Sequence, residues 1–195
     1  MAKIHVSRSG IHAGFSSPLS VSRPELLDED GKSDRQFRQL IYDLSVAGNQ
    51  LGLARKLLAA QLGVTPPRYN ILMVVAQYQG QQGVSVSEVA RHLHVSTAHI
   101  TNQVKFLEKK KWLVTASNPE DGRSRLIRID PSQESRLTGL AKHLHRVNDD
   151  LFGGLNRRDF QSLSRLLTQL VDDFEQALNR LSTDPAKKRR PKSSP

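Results

Sequence analysis

A chain of 195 residues is long enough for one domain with tails and can bury a core without covalent staples. It contains no cysteine, which excludes disulfides, thiolate catalysis and thiol-based redox sensing, and it lacks the run of roughly 18 apolar residues that a membrane span needs. The formal charge of +10, from 29 Lys and Arg against 19 Asp and Glu, suits a polyanionic partner, because each phosphate neutralised releases a counterion; by composition alone, plain solubility explains it equally well.

The placement of the charge says more than its sum. Met1–Lys32 is neutral, with four basic and four acidic residues, whereas Asp184–Pro195 holds five basic residues and one acidic. Lys105–Arg128 holds seven basic residues against three acidic. The N-terminus lacks the continuous apolar stretch of a signal peptide. The expectation is a soluble, cytoplasmic protein.

Residues 1–33 are rich in Ser, Gly, Pro and charge without clear periodicity and read as a flexible N-terminal arm. From Asp34, apolar residues recur at helical spacing: Phe37, Leu40, Ile41, Leu44, Leu51, Ala54 and Leu58. Gly48 and Gly52 weaken this helix or admit a close neighbour. Thr65 and Pro66 open a second helix, with Ile71, Leu72, Val75 and Ala76 on its apolar face, and Gly80 and Gly83 end it.

Ser85-Val86-Ser87-Glu88 is a capping box that starts a short helix with Val89, Ala90 and Leu93 inward. A tight turn at His94-Val95 comes next. Ser96 caps another helix, whose apolar side carries Ile100, Val104 and Leu107 and whose end is cationic at Lys109-Lys110-Lys111. Two strand-like runs, Trp112–Ala116 and Arg125–Ile129, flank the hairpin loop Ser117–Arg123. Pro131 closes the hairpin, and a long helix begins near Ser132 and is interrupted at Gly153-Gly154. Asn156 caps the last helix. There Phe160, Leu163, Leu167, Leu170, Phe174, Ala177 and Leu181 form an unbroken heptad seam. The seam needs a partner, either within the chain or in a second copy. Few other elements are left to cover it, which favours a dimer interface at Phe160, Leu163, Leu167, Leu170 and Phe174.

Two short helices joined by a tight turn and followed by a basic hairpin make a winged helix-turn-helix. The fold class expected is mainly α with a small β-hairpin wing. With Ile100, Val104 and Leu107 turned inward, a rotation of roughly 100° per residue points Ala98, Thr101, Asn102, Lys105 and Lys109 outward. Ser96, Thr97 and His99 stand at the helix start, within reach of a groove. Asn pairs with adenine, Thr meets a thymine methyl, and Lys holds phosphate or guanine. For any one of these residues, an ordinary solvent-facing role is an equal alternative. In the hairpin, Arg123 beside Gly122 is placed to enter a minor groove, with Asp121 orienting it or bracing Arg125 or Arg128.

The stretch VSVSEVARHLHVSTAHITNQVKFLEKKKWLVTASNPEDGRSRLIRIDP, Val84–Pro131, resembles the core of the MarR family of bacterial and archaeal transcriptional regulators. The match runs through Ser87-Glu88-Val89-Ala90, Val95-Ser96 and Leu107-Glu108-Lys109-Lys110. It continues into the wing, where Asp121 and Arg123 fit the family's Asp-x-Arg signature. The family often has Gly where Lys111 stands here. The resemblance implies a winged helix-turn-helix at residues 64–131 and N- and C-terminal dimerisation helices at 34–62 and 132–183, together a MarR-like domain at 34–183. It leaves a basic disordered tail at 184–195, which is either a phosphate-touching extension or an inert solvated end.

It further implies a homodimer on double-stranded DNA with a pseudo-palindromic operator. DNA contacts would come from Ser96, Thr97, Ala98, His99, Thr101, Asn102, Lys105, Arg123 and Arg125, with Asp121 supporting the wing. Many such proteins are repressors released by small aromatic acids or phenols, for which Tyr42, Arg68 and Tyr69 are the candidate contacts here. An effector-independent regulator or activator, or a winged-helix module for RNA or protein, are the alternatives. No cofactor and no metal are expected: His143 and His145 are two apart on a helix and point to different faces. The sequence holds no H-E-x-x-H, G-x-S-x-G or G-x-x-x-x-G-K motif, so no enzymatic function is read from it.

Overall fold

The computed structural model describes residues 17–119, 121 and 124–183. The chain divides into two compact units, one ending at Val74 and the other starting at Val75.

The first unit is dominated by α1, Arg35–Leu62. Leu, Ala, Gln and Arg make up most of it, and such side chains lose little freedom in a helix. A Cβ built on Gly48 or Gly52 meets nothing within 4 Å, so within the described residues these glycines weaken the helix without admitting a neighbour. The helix stops at Gly63, whose φ of 68° lies in the left-handed region that spares it a Cβ clash. The Gly63 N–H donates to the Ala60 carbonyl at 3.0 Å, and that of Val64 to Ala59 at 3.1 Å.

Of the expected flexible arm, residues 1–33, residues 1–16 lie outside the described residues, and residues 17–33 make local contacts with the start of α1. A short 3-10 helix forms at Pro24–Leu26. The Asp28 carboxylate accepts from the N–H groups of Arg35 (3.0 Å) and Gln36 (3.1 Å), two donors that the first turn of α1 leaves open. Asp34 is buried and accepts from Arg38 Nε at 2.7 Å and from Ser20. Composition alone reads this stretch as loose, but these hydrogen bonds tie it to the start of α1.

The helix α2, Pro66–Tyr78, starts at the expected proline and carries the boundary between the units. In the second unit, β1 (Val84–Ser85) leads directly into α3 (Val86–His92) and α4 (Thr97–Lys109). Then come β2 (Leu113–Ser117), β3 (Arg125–Ile129), α5 (Glu134–Phe152) and α6 (Arg157–Thr183). The sheet is antiparallel in the order β1-β3-β2. Its register sets Leu113 opposite Ile129, Ser117 opposite Arg125, and Val84 opposite Ile127. The sequence reading has only the hairpin; β1 is the added strand, and it covers the edge that β3 would otherwise expose. Gly83, at φ 111°, precedes it, and a Cβ there would lie 3.1 Å from the Ile127 carbonyl oxygen, so only glycine lets the chain pass this close to β3.

Val84, Val89, Ile100, Leu107, Leu113 and Ile127 are fully buried and form the centre of this unit. Trp112 is buried rather than part of β2, with the Arg136 guanidinium 4.8 Å over its ring. Asp130 accepts from the N–H (2.9 Å) and hydroxyl (2.7 Å) of Ser132 and so starts the turn into α5. The architecture is mainly helical with a small three-stranded sheet. No helix among the described residues is long and apolar enough to cross a membrane.

Candidate nucleic-acid interface

The helix-turn-helix is built by two serine caps and one left-handed residue. Ser85 Oγ accepts from the Glu88 N–H at 3.1 Å, starting α3, and Ser96 Oγ accepts from the His99 N–H at 3.2 Å, starting α4. Between them His94 adopts φ 51°, and the Val95 N–H returns to the Ala90 carbonyl at 3.1 Å. The His94 ring is bonded through Nδ1 to the Glu175 carboxylate on α6, tying the turn to that helix.

In α4, Ile100, Val104 and Leu107 are buried, as the apolar spacing requires. The opposite face exposes Thr97, Ala98, His99, Asn102, Lys105 and Lys109. Ser96 is exposed but its oxygen is occupied as a cap. Thr101 is half-buried, and its hydroxyl donates to the Thr97 carbonyl at 2.9 Å. The first turn of α4 carries no acidic residue, so the positive end of the helix dipole is not neutralised.

The helix ends through an unusual residue. Lys111 sits at φ 56°, its N–H donating to Glu108 O at 2.8 Å, and Trp112 N–H donates to Leu107 O at 2.8 Å. This closure turns the chain into β2, and Lys performs it where glycine is the unstrained choice.

In the wing, the Ser124 N–H donates to the Asp121 carbonyl at 2.9 Å, and the Asn118 side-chain amide donates to Ser124 Oγ at 2.9 Å. These bonds shape the loop between β2 and β3. Arg123, the expected minor-groove residue, and its neighbour Gly122 lie outside the described residues, as does the basic tail from Asp184. Arg125 is placed on β3, but it is not an unengaged cation: Nη2 donates to Thr115 Oγ1, and the guanidinium lies 3.9 Å from Glu108. Sequence reasoning missed Glu108 and Thr115 as its partners, since only the strand register sets Thr115 diagonally across from Arg125.

The other expected groups fall elsewhere. On α1, Tyr42 is exposed; on α2, Arg68 is half-buried and Tyr69 is buried, which pushes its phenol pKa up. On α6, Phe160, Leu163, Leu167 and Phe174 are exposed and Leu170 is half-buried. Part of this seam lines an open cleft of about 420 Å³ shared with His94 and Phe152. Among the described residues, no group of three or more His, Asp or Glu is arranged to hold a metal.

The two capped helices α3 and α4 followed by the β2–β3 hairpin make a winged helix-turn-helix. A model of the MarR family matches residues 62–124, about a third of the chain. The uncharacterized HTH-type transcriptional regulator YdgJ of Bacillus subtilis (strain 168) is 20% identical over 136 residues, 70% of this chain and 79% of YdgJ. The HTH-type transcriptional repressor IacR of Pseudomonas putida is 25% identical over 118 residues, 60% of this chain and 69% of IacR. Among solved structures, the transcription regulator MarR from Oenococcus oeni PSU-1 superposes with a TM-score of 0.61 at 16% identity, covering 68% of this chain and 98% of the other. The S. aureus MepR-DNA complex superposes with a TM-score of 0.57 at 16% identity, covering 68% of this chain and 96% of the other. YdgJ, IacR and the Oenococcus oeni protein are regulators of transcription.

Proposed function

We propose that the protein acts as a homodimer that reads a pseudo-palindromic operator in double-stranded DNA and represses transcription from it. The observation that carries this reading is the two-sided α4, with Ile100, Val104 and Leu107 buried and Thr97, Ala98, His99, Asn102 and Lys105 exposed. A helix about 10 Å across fits the major groove, and this face combines base-reading side chains with cations for phosphate. Arg123 from the wing supplies a minor-groove contact in the same reading. The exposed heptad seam of α6 supports a second copy as its cover, and twofold symmetry then sets two half-sites about 10 bp apart. Repression is favoured by the similarity to IacR, which is a repressor.

Release by a small aromatic or phenolic effector completes the proposal. Of the three candidate contacts, Tyr42 is the exposed one, Arg68 is partly accessible, and Tyr69 requires local opening to reach a ligand. Selection of duplex DNA from a random pool by the purified protein tests the reading. An enriched inverted repeat is the expected result. Binding without enrichment, seen only at low salt, overturns sequence-specific recognition in favour of non-specific charge.

A further inference from the structure

Three side chains from three elements meet where the recognition helix abuts the wing. Glu108 lies in the last turn of α4, Thr115 in the middle of β2 and Arg125 at the start of β3. The Thr115 hydroxyl donates to Glu108 Oε1 at 2.6 Å and accepts from Arg125 Nη2. A hydroxyl has one proton and two lone pairs, so the direction of this chain is set: guanidinium to hydroxyl to carboxylate. The direct approach of Arg125 to Glu108, 3.9 Å, adds Coulomb attraction between its ends. Glu108 is the one acidic residue of α4. Unpaired beside a phosphate backbone it would repel DNA; paired, its charge is cancelled.

We propose that Arg125 is a positioning residue and not a phosphate contact: with Thr115 and Glu108 it clamps the wing to the recognition helix, so that both meet the duplex in one fixed geometry. The cationic attraction of the face then rests on Lys105, Lys109 and Lys110, which are exposed on α4 and at its end. The inference rests on the DNA-binding reading for its functional consequence, while the clamp itself is a property of the free protein.

The two roles predict opposite outcomes for the uncharged and acidic members. A clamp predicts that Thr115→Val and Glu108→Gln each weaken binding to the selected operator by roughly three- to fivefold, the span expected of a partly exposed pair. It also predicts that Arg125→Ala adds little to either, and that all three keep the wild-type dependence of affinity on salt. A phosphate contact predicts that Arg125→Ala lowers the salt slope by about 1 while Thr115→Val is silent. It further predicts that Glu108→Gln binds more tightly, because an acid has been removed from the face; this pattern overturns the clamp, as does wild-type affinity in all three. Amide exchange of the free full-length protein separates this from the DNA reading. Thr115→Val should speed exchange at Thr115–Ser117 and Arg125–Ile127 several-fold, and unchanged exchange overturns the clamp whether or not any duplex is selected.

Discussion

Ser20 donates twice to the carboxylate of Asp34, from its backbone N–H at 2.6 Å and from its hydroxyl at 2.5 Å. Arg38 holds the other oxygen of Asp34 through Nε, and its Nη2 reaches back to the Pro18 carbonyl at 2.5 Å. One buried side chain therefore gathers the segment before α1 onto the helix. These bonds, that of Arg38 first, hold the Asp34 carboxyl well below the usual carboxylate range. A depressed pKa means the ionised form stabilises the fold. That contribution is complete above the unfolded value, about pH 4, and fades as pH falls toward the lower folded value. Protection of the Ser20 amide against exchange should drop on acidification below about pH 4, and Asp34→Asn should weaken it at neutral pH and flatten its acid response. A wild-type profile in the Asp34→Asn protein would locate the anchor in Asp28 instead.

Lys111 is held at φ 56° to close α4, in the left-handed region that favours glycine. A side chain in the left-handed region costs roughly 1 kcal/mol, and Lys111 is exposed, so it returns little by packing. Lys111→Gly should keep the backbone N–H bond from this position to Glu108 and raise unfolding stability by about 0.5–1 kcal/mol in denaturant titration at fixed protein concentration. A loss of stability would mean that the lysine side chain makes a contact of greater worth than its strain.

Asn102 is exposed at the middle of the outer face of α4, and an amide side chain of this kind can pair with an adenine edge. Asn102→Ala should relax the selected operator at one base position in each half-site, at a cost of about 1–3 kcal/mol there. Arg123→Ala should instead weaken binding across most sequences and reduce the salt slope by about 1. An unaltered consensus for the first variant, or wild-type binding at moderate salt for the second, removes that residue from the interface.

The seam of α6 leaves Phe160, Leu163, Leu167 and Phe174 exposed in the single chain. Leu167→Glu with Leu170→Glu puts two charges into any interface built on it, where desolvation is costly. Light scattering should report a monomer for this variant, and operator affinity should fall with it. A dimer of unchanged size would place the interface on other residues.

Much of this was legible along the chain because it is encoded within a few residues. Ser85 and Ser96 announce their helices by standing just ahead of apolar residues at helical spacing, and both cap as expected. The buried side of α4 comes from that spacing, and its exposed side from rotation about the axis. The left-handed Lys111 was marked only by an absence, that of the usual glycine. Nothing local marked β1, because two residues carry no period; Val84 becomes a strand only where β3 offers it a ladder.

The helical elements, the serine caps at Ser85 and Ser96, the exposed face of α4 and the apolar seam of α6 follow from the chain alone, since helices are written in bonds and contacts three and four residues apart. The tertiary structure decided that Arg125 faces Glu108 and Thr115, that β3 is covered by β1, and that residues 17–33 are fastened at Asp34. Those outcomes depend on strand register and on which distant polar group satisfies a buried one. Both are settled by packing the whole unit, where an unpaired buried carboxylate or open strand edge costs more than any local preference returns.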